Sequence, residues 1–94
     1  MKVIWTAKAR AELDKIADYL APFSASAALA VVRRLRTAGN RLGEHPHTGR
    51  TGRVDESREL VVTGTPYILP YRVRDGRVEI LAVLHTSRQW PDQL

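Results

Sequence analysis

Apolar and polar positions alternate along the chain with two different periods. From Ala7 to about Ala21, Leu13, Ile16, Ala17 and Leu20 recur at the i, i+3, i+4, i+7 spacing of one helical stripe, while Lys8, Arg10, Glu12, Asp14, Lys15 and Asp18 occupy the remainder. Thr6 stands where an N-cap belongs, and Pro22 ends the segment. Ser24 then caps a second helix whose stripe is Ala28, Val31, Val32, Leu35, Ala38 and Leu42. So short a connection predicts an antiparallel helical hairpin. Ahead of it, Lys2 to Thr6 reads as a short strand rich in Val, Ile and Trp.

From Arg58 onward the period falls to two. Asp75-Gly76 between β-rich runs is the signal for a type I′ hairpin, in which both turn residues take positive φ. An uninterrupted ladder from that turn sets Arg74 against Arg77, Val73 against Val78, Arg72 against Glu79 and Tyr71 against Ile80. It continues with Leu69 against Ala82, Ile68 against Val83 and Tyr67 against Leu84. One face then carries Tyr67, Leu69, Tyr71, Val73, Val78, Ile80, Ala82 and Leu84, which should meet the helices. The other carries Ile68, Pro70, Arg72, Arg74, Arg77, Glu79, Leu81, Val83 and His85, a mixed candidate working surface. Upstream, Arg58 to Val62 reads as a further strand; with Val62 facing Tyr67, Leu60 and Val62 join the core face and Glu59 and Val61 fall beside Arg72. Pro70 has no N–H, so either no ladder bond is donated at its position or a bulge lies there. Trp5, Tyr67 and Tyr71 read as core. The sum is one α+β domain over residues 1–94, ordered β-α-α-β-β-β, with the helical hairpin packed on a mainly antiparallel sheet.

Charge adds a partner class to this outline. Fifteen basic residues against ten acidic give +5 at pH 7 and a pI near 10.2, a balance that suits an anionic partner. That partner is nucleic acid, or an acidic protein segment held by arginines, with solubility by net charge as the bland alternative. No cysteine is present, which excludes disulfides and thiolate sites and fits a reducing compartment. The Met1 to Trp5 segment runs into charge without a secretory apolar region, and no run of about 18 apolar residues follows, so a soluble cytoplasmic protein with no membrane association is expected. Arg33, Arg34, Arg36 and Arg41 do not share one helical face and read as a solvated surface complementing the helix dipole.

The stretch Gly43 to Gly52 breaks every period and reads as a loop. It gathers Glu44, His45, His47 and Arg50, but two histidines at i and i+2 without a third strong ligand do not predict a metal. Neither GxxxxGK[ST] nor GxGxxG occurs, so no cofactor is expected. Trp90, followed by Pro91, reads as a lid or as a partner-binding aromatic.

Four motifs follow one another in a fixed order. They are Leu42-x-x-x-Pro46-x-x-Gly49-Arg50, Arg58-Glu59-Leu60, Tyr67-x-x-x-Tyr71-Arg72-Val73 and Glu79-Ile80-Leu81-x-Val83-Leu84-His85-x-x-Arg88. In that order and on that element sequence, the chain resembles the RelE/ParE superfamily of bacterial toxins. The resemblance implies a type II toxin-antitoxin module, with the toxin held inactive in a hetero-oligomer by a cognate antitoxin whose partly disordered segment folds over it. RelE-like members are ribosome-dependent mRNA endonucleases, and ParE-like members bind and poison DNA gyrase. Ile68 stands where the RelE-like enzymes tend to carry an arginine, and no tyrosine follows Tyr71, both of which resemble the ParE branch. If the protein is an endonuclease, Arg72, His85 and Arg88 are the catalytic candidates, with His85 transferring protons and the arginines holding charge. The competing reading pairs Arg72 with Glu79 and Glu59 as a surface ladder. Arg50, Arg58, Glu59, Arg74, Arg77 and Trp90 are the candidate partner contacts. A degenerate toxin that still binds its antitoxin is the remaining reading.

Overall fold

Thr6 joins sheet to helix in a computed structural model that describes residues 1–87. Its backbone N–H and its hydroxyl both reach the carbonyl of Ile80, at 3.1 and 2.9 Å, and the hydroxyl oxygen accepts from the N–H of Ala9 at 3.2 Å. One residue therefore ends β1 (Lys2–Trp5) and caps α1 (Ala7–Leu20). Ser24 does the same for α2 (Ala25–Arg41), accepting from Ala27 at 3.1 Å. Both caps stand where the sequence puts them. Ala9, Leu13 and Ile16 of α1 and Ala28, Leu35 and Gly39 of α2 are buried, so the expected stripes face inward.

The sheet contains β2 (Arg50–Thr51), β3 (Arg58–Val61), β4 (Tyr67–Arg74), β5 (Arg77–Ile80) and β6 (Leu84–His85), in the order β1-β5-β4-β3-β2 with β6 on the early half of β4. Only β1 with β5 is parallel; every other pairing is antiparallel. Asp75 and Gly76 have φ of 52° and 71°, as a type I′ turn requires, and the expected register holds from Arg74↔Arg77 to Tyr71↔Ile80. The β3–β4 register also holds, with Leu60 opposite Leu69 and the Val62 N–H donating to the Tyr67 carbonyl at 3.2 Å. Leu60 is half-buried rather than enclosed. Two short strands escaped the sequence reading: β2 lies within the stretch read as loop, and β6 is separated from β5.

That separation corrects the register. Tyr67 faces His85 and Ile68 faces Leu84, one residue later than an uninterrupted ladder would give. The cause is Pro70. The Leu81 N–H donates to the Pro70 carbonyl at 2.9 Å, but Pro70 has no N–H to return, and the Leu81 carbonyl meets the Thr6 hydroxyl at 3.3 Å instead. Residues 81–83 leave the ladder and contribute one extra residue, a bulge on the strand facing the proline. A slip of one residue exchanges faces. Leu84 therefore joins Ile68, and His85 moves to the helix side with Tyr67, away from Arg72.

Trp5 packs at the core margin, its indole N–H donating to Asn40 Oδ1 at 2.9 Å. The ring lies against Gly39, where an added Cβ would stand 2.4 Å from Trp5 Cζ2 and 2.7 Å from Ile80 Cδ1. Alanine normally stabilises a helix interior by ~1 kcal/mol over glycine, but overpacking costs ~1–3 kcal/mol. Because the bond to Asn40 holds the indole in place, Gly39→Ala should lower stability, by up to about 2 kcal/mol, in denaturant unfolding. A gain would show that Trp5 is free to withdraw.

Candidate functional site

A groove of about 750 Å³ runs between α2 and β3. Ala30, Arg33, Arg34, Thr37, Ala38 and Arg41 form its helical wall, an i, i+3, i+4, i+7, i+8, i+11 series that is a second face of α2 beside the core stripe. Leu42, Leu60 and Val62 supply apolar floor, and His45 and Thr48 close one end. Arg34 donates to the Thr63 carbonyl at 3.0 Å across the groove. Among the described residues, the side chains of Arg33 and Arg41 have no ionic or hydrogen-bonded partner.

The strand wall of this groove is also unfinished. β2 pairs only with Arg58 and Glu59, and Val62 donates inward to Tyr67. By the alternation of antiparallel bonding, Val61 therefore turns its N–H and C=O outward past the end of β2, and the residue is 48% exposed. An open edge of this kind accepts an added strand. The α2 arginines read as solvated surface in the sequence, since all four cannot share a face. Three of them do, and the small residues Ala30, Thr37 and Ala38 between them were the available signal.

Beside the groove the loop from Pro46 to Arg53 is tied down by Tyr71, Glu59 and Arg58. Tyr71 is fully buried; its hydroxyl donates to the Pro46 carbonyl at 2.8 Å and accepts from the Gly49 N–H at 2.9 Å. Burial pushes the Tyr71 phenol pKa up, partly offset by the Gly49 bond and the Arg58 charge. Glu59, expected as a partner contact, has a side chain only 1% exposed. It accepts from Arg50 Nη2 at 3.1 Å and from the Arg53 N–H at 2.8 Å, and Arg53 Nε lies 3.6 Å away. Arg58 donates to the Gly49 carbonyl at 2.9 Å. Glu59 and Arg58 therefore hold the loop, whereas Arg50 remains exposed on it.

Of the candidate catalytic set, Arg72 and His85 are not brought together. Arg72 Nε is 2.6 Å from Glu79 Oε1, and Arg77 approaches the other oxygen of that carboxylate at 3.4 Å. His85 stands edge-on to Tyr67, with centroids 5.4 Å apart, on the opposite side of the sheet from Arg72. Its Nδ1 accepts from the Ser87 N–H at 3.1 Å and lies 2.7 Å from the Ser87 hydroxyl. Arg88 and Trp90 lie outside the described residues. Arg74 and Arg77 are exposed and directly opposed at the hairpin end, a like-charge pair relieved by Glu79. Among the described residues no three His, Cys, Asp or Glu side chains converge as a metal site, and no helix is long and apolar enough to cross a membrane.

The Arg72 hydrogen bond holds the Glu79 carboxyl below the usual carboxylate range, with the charges of Arg72, Arg77 and Arg74 adding to it and desolvation opposing. Since the folded-state pKa is the lower one, this contact contributes fully above the unfolded carboxylate pKa and is lost as pH falls through the depressed value. Arg72→Ala should return the Glu79 pKa toward its ordinary value in a carboxyl NMR titration. An unmoved titration would mean that the pair does not persist in solution.

A family model described as ParE toxin of type II toxin-antitoxin system, parDE, matches residues 3–90. The provisionally named toxin Y4kP of Sinorhizobium fredii is 46% identical over 94 residues, covering 99% of this chain and 96% of that protein. Toxin RelE2 of Caulobacter vibrioides is 42% identical over 87 residues, covering 93% and 97% respectively. Among solved structures, a chain of the chromosomal ParDE TA system from P. aeruginosa superposes with a TM-score of 0.82 at 30% identity, covering 90% of this chain and 95% of that one.

Proposed function

Because the chain belongs to the ParE toxin family of type II toxin-antitoxin systems, we propose that it arrests growth by binding DNA gyrase, and that a cognate antitoxin neutralises it. What supports binding over RNA cleavage is one observation: the register slip at Pro70 puts Arg72 and His85 on opposite faces of the sheet. A phosphodiester cleavage site needs its proton-transfer group and its charge-stabilising group within reach of one phosphate. Here Arg72 is engaged by Glu79 and the Nδ1 of His85 by Ser87.

The name of the Caulobacter relative, Toxin RelE2, favours a second reading, the ribosome-dependent mRNA endonuclease. Induction of the protein without antitoxin, following pulse-labelled protein synthesis and DNA breaks together, separates the two. The gyrase reading expects filamentation and gyrase-dependent DNA breaks while translation continues. Prompt loss of translation with cut mRNA would establish the endonuclease, and undisturbed growth would leave a degenerate toxin.

For the antitoxin, the groove between α2 and β3 is the better-suited surface. Its apolar floor, its unpaired Arg33 and Arg41 and the open backbone of Val61 together fit an extended amphipathic segment carrying acidic residues. Such a segment loses conformational entropy on binding, and the buried apolar contacts and charge-assisted bonds offset that cost. Both arginines are exposed, so charge reversal should leave the fold intact. Arg33→Glu with Arg41→Glu should weaken antitoxin binding at least ~10-fold, or ~1.4 kcal/mol, in calorimetry. Unchanged affinity would remove the groove from the interface.

A further inference from the structure

The tip of the α1–α2 hairpin has features that the groove does not account for. Tyr19 and Phe23 are 69% and 78% exposed, the two most exposed large aromatics among the described residues, and their rings lie 5.9 Å apart. Neither belongs to the core cluster, so packing does not explain them. Tyr19 also lines a shallow pocket of about 180 Å³ with Glu12, Lys15, Tyr67 and His85. The aromatic strip thus runs from the hairpin loop along α1 to the start of β4, and its pocket shares no lining residue with the groove.

The charge of this region runs against that of the chain. From residue 12 to residue 32 there are three acidic residues, Glu12, Asp14 and Asp18, and one basic residue, Lys15. That is a net −2 in a chain of +5, which leaves +7 for all other residues. Asp18 is a second anomaly: it sits in the last turn of α1, where the helix dipole disfavours an acid, and no basic residue shares that turn. A local rule is broken there with no structural compensation.

We infer that the hairpin tip is a second docking surface, for a protein partner that presents arginines or lysines and is distinct from the antitoxin. Exposed aromatic rings on a net acidic stretch receive such cations by cation–π contact and longer-range attraction together, and aromatics of this kind act as interface anchors. A phosphate backbone would be repelled by the net negative charge. An acidic antitoxin segment suited to the groove would be repelled likewise. Two copies meeting tip to tip across a two-fold axis would set Asp14 and Asp18 against their own counterparts. The inference rests on the toxin reading, since the basic partner is the protein that the toxin acts on and growth arrest is the readout.

Two double variants of the full chain test it: Tyr19→Ala with Phe23→Ala, and Asp14→Lys with Asp18→Lys. The side chains are exposed, and the Asp18 change should favour the helix, so neither pair threatens the fold. Both variants should melt as the wild type does and bind antitoxin within about twofold of it, yet arrest growth at least ~10-fold less effectively at equal protein levels. Full arrest by both variants, with the wild type active, overturns the inference while sparing the toxin reading. Loss of antitoxin binding in either variant overturns it by placing the antitoxin at the tip. Concentration-dependent self-association of the wild type by light scattering, abolished in the variants, overturns it in favour of a second copy. A wild type that does not arrest growth overturns the toxin reading itself, and this surface with it.

Discussion

The hydrogen bond that Pro70 cannot make fixes the arrangement of the sheet. In the antiparallel pair with Leu81, one bond forms at 2.9 Å and the reciprocal donor is missing. An acceptor stranded in the middle of a sheet is costly, on the order of 1–3 kcal/mol when buried. The Thr6 hydroxyl, already shared with Ile80, relieves it from the helix side. The strand then gains one residue before pairing resumes, and Leu84 rather than Val83 meets Ile68. Tertiary packing agrees with the slip, since Ile68, Val83 and Leu84 are all buried and the Val83 N–H finds Glu12 at 3.0 Å.

A second constraint keeps the groove open. Glu59 is a buried carboxylate, and removing such a charge from water costs several kcal/mol unless donors surround it. Arg50, Arg53 and the Arg53 N–H provide them, so the loop that carries these groups is drawn onto β3 as β2. Tyr71 secures the other end of the loop at Pro46 and Gly49. β2 then stops after two residues and leaves Val61 uncovered. The same contacts that fold the loop therefore leave the strand edge and the Arg33–Arg41 wall facing an unfilled space.

These two constraints also explain what was legible in the sequence. Periodicity and capping are local, so both helices, their Thr6 and Ser24 caps, the Asp75-Gly76 turn and the register near it could be read directly. Pro70 could be recognised as a defect, but the remedy lay with Thr6, some 64 positions upstream in sequence. Nothing local signalled that His85 would change faces. Glu59 looked like a surface residue because its donors come from a loop with no strand pattern of its own. The groove was hidden for a different reason: its arginines belong to a helical face that becomes distinct only once α2 is placed beside β3.

Charge is divided unevenly over this architecture. A uniformly basic surface would let one acidic segment compete with every other partner. In this fold the cationic groups concentrate along α2, the β2 loop and the Asp75-Gly76 hairpin, while the stretch from Glu12 to Val32 is net acidic and carries the exposed aromatics. Electrostatic complementarity governs encounter and the rejection of wrong partners more than raw affinity. A partner drawn to one region is therefore turned away from the other, although both lie on one small domain. Because the groove wall is α2 and the aromatic strip follows α1, the helical hairpin held together by Leu13, Ile16 and Leu35 sets the separation between the two surfaces. Packing inside the hairpin thus fixes how far the groove lies from the aromatic strip.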